Sequence, residues 1–506
     1  MGFPILTVLA LVPLVGAVLL LLAGDASARV VGLLTSLVTL VLAVVVLVMF
    51  DPAGGMQFSE VVPWVPSLGF HYAVGVDGIG LTLVLLTAIL TPVVLLGSWD
   101  DADYAGGGRW GSKAFFALVL VLESFALFAF LATDVLLFYI FFEATLIPMY
   151  FLIGAFGGAK RSAAAMKFLL FSLFGGLIML AAVIGLYAVS AGAGQPTYLL
   201  SELSQLDIDQ TTGRVLFIGF MIAFAIKAPM VPFHTWLPDA AENSTPGGSA
   251  LLVGVLDKIG TFGMLRFCLG LFPEASTWAT PVVLVLAVIS VLYGAIAAIG
   301  QKDLYRLIAF TSVSHFGFIV MGIFAFTSQA QAGSTFYMLN HGFSTTALFL
   351  VVGYLVARRG SQGISDFGGV QKVAPWLAGF TLFAGLSSLA LPGLSPFVSE
   401  FMVLAGTFSR YPVFAVFGVL GMVLAALYIL IMYQRTMTGP VKPAVAAFED
   451  LSGREKGALI PLVVLILVLG FFPKPALDVI NPSVEATMQH VGVENPVPSN
   501  EQEQPR

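Results

Sequence analysis

The stretch Gly213-Arg-Val-Leu-Phe-Ile-Gly-Phe-Met-Ile-Ala-Phe-Ala-Ile-Lys227-Ala-Pro229-Met-Val-Pro232-Phe233 decides the reading of the fold. It is apolar over about 20 residues, the length a helix needs to cross a bilayer. Near one end it nevertheless carries a lysine and two prolines. A proline inside a helix removes a backbone hydrogen bond and kinks or breaks the helix. A charge at the bilayer centre costs at least about 2.5–3.5 kcal/mol on insertion scales. The pattern returns in residues 374–408, a run too long for one straight span, interrupted by Leu391-Pro-Gly-Leu-Ser-Pro396 and followed by Glu400. Two interrupted helices at matching places in two halves of a chain are the sequence mark of a transporter built from repeats.

The rest of the chain reads the same way. Of 506 residues, 58% are hydrophobic and 10% charged, against roughly 25% charged in a soluble domain. Mean hydropathy is +0.99. Such a composition cannot clothe a soluble surface, so the fold class is an all-α polytopic membrane protein. Apolar runs near 3–23, 29–50, 79–99, 113–132, 135–156, 163–192, 213–233, 246–268, 279–300, 303–326, 334–357, 374–408, 412–435 and 457–473 give about 14 transmembrane helices. The first run is followed by Ala26-Ser27-Ala28, which resembles a cleavage site. No Lys or Arg precedes it, however, and its length of about 20 residues exceeds the usual signal core. With the N-terminus outside, 15 of the 22 Lys and Arg fall on the inner side and 5 on the outer, Lys227 and Lys258 lying within spans. This positive-inside bias places both termini on the outer side of a cell membrane. Gly106-Gly107-Gly108 reads as a flexible turn, and residues 485–506 as a loose polar tail.

Several chemistries are excluded. A net charge of -6 gives no basic surface for nucleic acid. The single cysteine, Cys268, cannot hold an iron–sulfur cluster or close an intrachain disulfide. The five histidines show no metal-ligand or paired-haem spacing. No strand–glycine loop–helix pattern suggests a nucleotide. The chain is read as carrying no cofactor and no metal of its own.

What remains is a set of ionisable groups inside apolar runs: Glu123, Glu143, Lys227, Lys258, His315, His341 and Glu400. At about 1.5 Å per helical residue, Lys258 lies roughly 18 Å past Pro246, His315 roughly 18 Å past Asp303 and Lys227 roughly 20 Å past Arg214. Glu143 and His341 lie roughly 13 and 11 Å into their runs. In a hydrocarbon core about 30 Å thick, all five fall in or near the middle third. A row of titratable groups parallel to the membrane plane is what lateral proton transfer requires. Pairing Glu143 with Lys227 stabilises both charges, and separating them lets the lysine release its proton. Lys227 is then a switchable donor to Lys258, His315 and His341 suit a relay, and Glu400 is the terminal acceptor. The alternative for each is structural: buried ion pairs fix helix register, and a buried imidazole can be a hydrogen-bonded core residue. Glu123 reads equally as a helix–helix hydrogen-bond partner. Asp134 and Thr245-Pro246 read as helix starts. His234, Asp239 and Glu242 are placed in or beside a solvated loop.

With these residues in view, a resemblance emerges. Lys227-Ala-Pro-Met-Val-Pro-Phe-His-Thr-Trp-Leu-Pro-Asp239, the helix bearing Lys258, Gln301-Lys-Asp-Leu-Tyr-Arg-Leu-Ile-Ala-Phe-Thr-Ser-Val-Ser-His315 and Asn340-His341-Gly-Phe-Ser-Thr-Thr-Ala-Leu-Phe resemble the antiporter-like membrane subunits of respiratory complex I, over roughly residues 75–475. Within that family, Glu400 after the second break is similar to the M-type subunits of proton-pumping NADH:quinone oxidoreductase, where L- and N-type relatives and antiporter subunits generally carry Lys. The resemblance implies two inverted five-helix repeats, at 113–268 and 279–435, with discontinuous helices 7 and 12. Around them lie N-terminal helices 1–3 (1–112), a loop and last helix (436–480) and a polar tail (481–506). It implies that Glu143, Lys227, Lys258, Glu400, His315 and His341 form a proton pathway. It also implies L-type and N-type membrane partners, with NADH, FMN, iron–sulfur clusters and quinone held in other subunits. The rival expectations are a subunit of a multisubunit cation/proton antiporter, a subunit of a membrane-bound hydrogenase, or a scaffold whose buried charges only join helices.

Overall fold

The structure is a computed structural model that describes residues 3–22, 24–104 and 110–496. The Gly106-Gly107-Gly108 turn and the tail beyond residue 496 lie outside the described residues. Ten helices among the described residues are long and apolar enough to cross a membrane, and eleven if the bent pair Gly453–Phe471 and Lys474–Val491 is one span. The count of 14 is not reached for a local reason. The runs at 213–233, 246–268 and 374–408 are each cut into shorter helical pieces.

The cuts follow the sequence chemistry. Helix Gln210–Lys227 stops before Pro229, and the chain resumes a short helix only at Trp236–Glu242. The groups freed by the break find partners: the Trp236 indole N–H donates to the Ile226 carbonyl at 3.0 Å, and the Val231 N–H donates to Ser290 Oγ at 2.9 Å. Helix Pro375–Ser388 ends before Pro392 and Gly393, and helix Ser395–Arg410 follows with Pro396 in its first turn. Two further interruptions escaped the sequence pattern. Helices Val135–Ala144 and Leu146–Phe156 meet at Thr145, three residues before Pro148, which cannot donate to the Ala144 carbonyl. The run from Pro246 holds two π-helical turns, Leu252–Leu256 and Met264–Cys268, on either side of helix Asp257–Gly263. Asp134 and Thr245 cap their helices as expected, through Leu136 and Leu137 N–H and through Gly248 N–H respectively.

Two elements depart from the sequence reading. A two-stranded antiparallel sheet, β1 (Gln57–Val65) and β2 (Phe70–Val76), occupies a segment with no assigned structure. It docks on a helix start: the His71 N–H donates to Asp134 Oδ2 at 3.1 Å. The polar tail expected over 481–506 is instead helical up to Val491, because helix Lys474–Val491 is amphipathic and buries Ile480, Val484 and Met488. The centre of the molecule is formed by helices Leu304–Phe324 and Ser328–Arg359, whose apolar windows are 100% and 94% buried, against 33% for Pro412–Met437.

The charged loops fall into two sets. One face gathers Lys167, Arg306, Arg358 and Arg454, joined to Asp239, Glu242, Glu455 and Asp100. The opposite face carries the Arg266–Asp77 pair at 2.6 Å and His490 bonded to the Gly270 carbonyl at 2.9 Å.

Candidate functional site

The breaks and π turns position the charged groups. At the first of them, Thr145 is the hinge residue between the two halves of its run. Its hydroxyl donates to the Phe142 carbonyl at 2.8 Å and accepts from Lys227 Nζ at 3.1 Å. The Lys227 ammonium also lies 4.8 Å from the Phe142 ring centroid. Glu143 stands beside this group but forms no ion pair within 4.0 Å of Lys227, so the structure holds the two apart, each within the other's field. Space for the Glu143 carboxylate comes from Gly176: a Cβ there would lie 1.8 Å from Glu143 Oε1.

Lys258 is fully buried. Its Nζ donates to the Val253 carbonyl inside the first π turn and bonds His341 Nδ1 at 2.7 Å. It also lies 5.1 Å from the Phe316 ring. A π turn leaves one residue out of the α-helical bonding register, which supplies a carbonyl to a side chain here.

From Lys258 a series of buried polar rings follows, in contact through their faces and edges. The His341 and His315 rings are 5.2 Å apart between centroids. His315 Nε2 is 3.4 Å from the Tyr428 hydroxyl and its ring 5.9 Å from that of Tyr337. The Tyr337 hydroxyl donates to Glu400 Oε2 at 3.0 Å. Tyr337 and His341 are one turn apart on helix Ser328–Arg359, so this single element links the Lys258 segment to the Glu400 segment. The second break is tied to the same helix: Asn340 Nδ2 donates to the Ser395 carbonyl and to Ser399 Oγ, both at 3.2 Å.

The structure thus brings Lys258, His341, His315 and Glu400 into one cluster and sets Glu143 and Lys227 beside one another. Glu123 stands apart. It is buried on helix Ser112–Leu131, Thr91 is the polar group beside it, and none of the other six touches it. His234 is buried rather than solvated, its ring 5.0 Å from Tyr293, because the segment after the break folds inward. Asp239 and Glu242 do lie at the polar face, paired with Lys167 and Arg306. Burial opposes the charge of Asp239, but hydrogen bonds from Lys167 and Arg306 outweigh it and hold its carboxyl below the usual range.

Three members were missed by sequence reasoning. Tyr337 and Tyr428 look like ordinary aromatic core; the spacing of Tyr337 to His341 by four was the available signal. Asp257, next to Lys258, is 0% exposed, and neither of its carboxylate oxygens makes a hydrogen bond to the described residues. An acid in the middle of an apolar run was the signal for it.

A cavity of about 900 Å³ opens on the basic face at the start of the Lys258 segment, lined by Asp101, Arg161, Thr245, Tyr305, Arg358 and Glu455 among others. Among the described residues, no three His, Cys, Asp or Glu are grouped so as to hold a metal ion.

Buried acids and bases strung through interrupted membrane helices define an ion-handling membrane subunit rather than a soluble or receptor fold. A sequence model of the family described as NADH:quinone oxidoreductase/Mrp antiporter, transmembrane, matches residues 132–426, and the chain belongs to that family. More particularly, it is 53% identical over 530 residues to NADH-quinone oxidoreductase subunit M of Mycobacterium tuberculosis (strain H37Rv), covering 98% of this chain and 96% of that one. It is similar to a chain of respiratory complex I from Thermus thermophilus with bound NADH, with a TM-score of 0.88 and 32% identity, covering 96% of this chain and 100% of that chain. A chain of the Mrp complex from Dietzia sp. DQ12-45-1b shares the fold, with a TM-score of 0.82 at 20% identity, covering 97% and 100%.

Proposed function

We propose that this chain moves protons across the membrane as a subunit of NADH:quinone oxidoreductase, driven by quinone reduction in other subunits. The observation that carries the reading is the buried series Lys258–His341–His315–Tyr337–Glu400, hydrogen-bonded at its two ends and joined by ring contacts through its middle. Imidazole and phenol groups pass a proton by taking one on one atom and giving one from another. The separated Glu143 and Lys227 form the switch: at about 6 Å and an effective dielectric of about 20, bringing two charges together is worth about 2.8 kcal/mol, enough to decide where a proton sits. Glu400 is the terminal acceptor. Glu123, outside the cluster, is assigned a helix-packing role next to Thr91.

The two interrupted helices, each followed or ended by a charged group, support two inverted repeats at 113–268 and 279–435 and a total of 14 spans. The grouping of basic residues on one face supports that face as the inner one, with both termini outside. NADH, FMN, iron–sulfur clusters and quinone then belong to partner subunits, a reading supported by the single cysteine, Cys268, which is buried. The relatives at 53% and 32% identity favour this reading over a cation/proton antiporter, whose structural relative stands at 20%.

The test is Lys258→Ala in the whole enzyme, in inverted membrane vesicles. The enzyme assembles, and NADH-driven proton uptake falls by about tenfold or more, the scale of a lost acid–base group. Normal uptake would overturn the pathway. Sodium-dependent proton exchange without NADH would favour the antiporter.

A further inference from the structure

Between Lys227 and Lys258 no hydrogen bond among the described residues joins the two halves of the site. Asp257 occupies that interval. The helix Asp257–Gly263 packs directly on the end of the Lys227 helix: a Cβ on Gly260 would lie 2.6 Å from the Ala228 nitrogen and 2.7 Å from the Phe224 carbonyl. Asp257 is one turn before Gly260 and so projects from the same face, toward the Lys227 segment. Lys258 is rotated by about 100° onto a different side of the helix, as is Thr261 one turn on, whose hydroxyl meets Met338 Sδ at 2.9 Å. Asp257 is fully buried, neither oxygen has a hydrogen-bond partner among the described residues, and its charge interacts with both Lys258 and Lys227. A buried carboxylate without hydrogen bonds is costly and poorly suited to holding helices together, since a structural acid is normally satisfied.

We propose that Asp257 carries the proton between Lys227 and Lys258. The Lys227 ammonium gives a proton to the Asp257 carboxylate, leaving a neutral amine and a carboxylic acid. The acid then protonates the neutral Lys258 amine, restoring the carboxylate. Each step conserves protons and charge, and no separated charge is left alone in the interior. The π turns on both sides of Asp257–Gly263 let the acid and the lysine present themselves to different neighbours from adjacent positions.

This inference rests on the proton-pathway reading above, and its test separates the two. Asp257→Asn, Asp257→Glu and Lys258→Ala are compared in the assembled enzyme by NADH oxidation and proton uptake of inverted vesicles. Asn keeps size and polarity but carries no proton; Glu keeps the proton. The expected result is an uptake loss of about tenfold or more for Asn and recovery toward the parent rate for Glu. Asn at parent rate beside a defective Lys258→Ala overturns the role of Asp257 and leaves the pathway standing. Parent rates in both overturn the pathway itself. Where Asn prevents assembly, Asp257→Ser is measured in its place. Assembly with Glu but with neither neutral residue makes Asp257 a structural charge, which also overturns the proposal.

Discussion

Glu143 owes its position to a residue that has no side chain. Gly176 on helix Arg161–Gly192 leaves the space its carboxylate fills. Gly176→Ala is therefore expected to leave the helix as stable as before or slightly more so, because alanine is the better helix former by about 1 kcal/mol. It should nevertheless displace the carboxylate from its place beside Lys227. Proton uptake falls by about 10- to 100-fold, the scale of a misplaced reacting group, although Glu143 itself is unchanged. Assembly by native gel with vesicle uptake checks both halves of this prediction. At this scale the sequence was informative about charge and silent about aromatic groups. Lys227, Lys258, Glu143, Glu400, His315 and His341 stood out because ionisable residues are rare in apolar runs. Tyr337 and Tyr428 did not, because a tyrosine in a membrane helix is unremarked until its hydroxyl is seen beside Glu400 or His315. Gly176 could not be found at all, since its role exists only across two helices.

Elements explain why the charged groups meet. Proline marked the two breaks that the sequence reading expected, and the freed backbone groups there are taken up by Trp236, Ser290 and Asn340. The π turns around Asp257 carry no proline and no pattern distinct from any glycine-containing apolar helix, so they were illegible. The hairpin of β1 and β2 was likewise hidden, because Gln57–Val65 shows no clean alternation of apolar and polar residues. The start of the Lys258 segment yields a pH prediction. Burial raises Asp101 to about 6, against the hydrogen bond from the Gly247 N–H that pulls it down. A carboxyl whose folded value is raised keeps its proton where the unfolded chain, near 3.9, has lost it. Its stabilising contribution is complete below about 4, shrinks between about 4 and about 6 and is constant above. The heat stability of the purified protein should fall over that interval, and Asp101→Asn should flatten this part of the profile. A profile that Asp101→Asn leaves unchanged would remove Asp101 as its source.

The whole molecule separates its charges into two faces, and the proposed orientation follows from that separation. Cys268 is fully buried and should be silent to a membrane-impermeant maleimide. A cysteine placed at Asn495, which bonds Ser328 on the face of Arg266 and His490, should then be labelled in intact cells. A cysteine at Ser365, whose carbonyl accepts from Lys442 on the basic face, should be labelled only after permeabilisation. The reverse pattern would invert the topology. The enclosure of helix Ser328–Arg359 reaches further, into how the chain is made. Even its most apolar 18-residue stretch averages only 1.3 in hydropathy, against 2.9 for Ile5–Leu22, because Asn340, His341 and a series of serines and threonines lie along it. Lipid alone offers such a segment little reward for leaving the insertion machinery. During biogenesis it must wait against its earlier neighbours until the stretch bearing Ser395, Ser399 and Glu400 has been synthesised, so the hub of the conduit is among the last parts of the protein to commit to the bilayer.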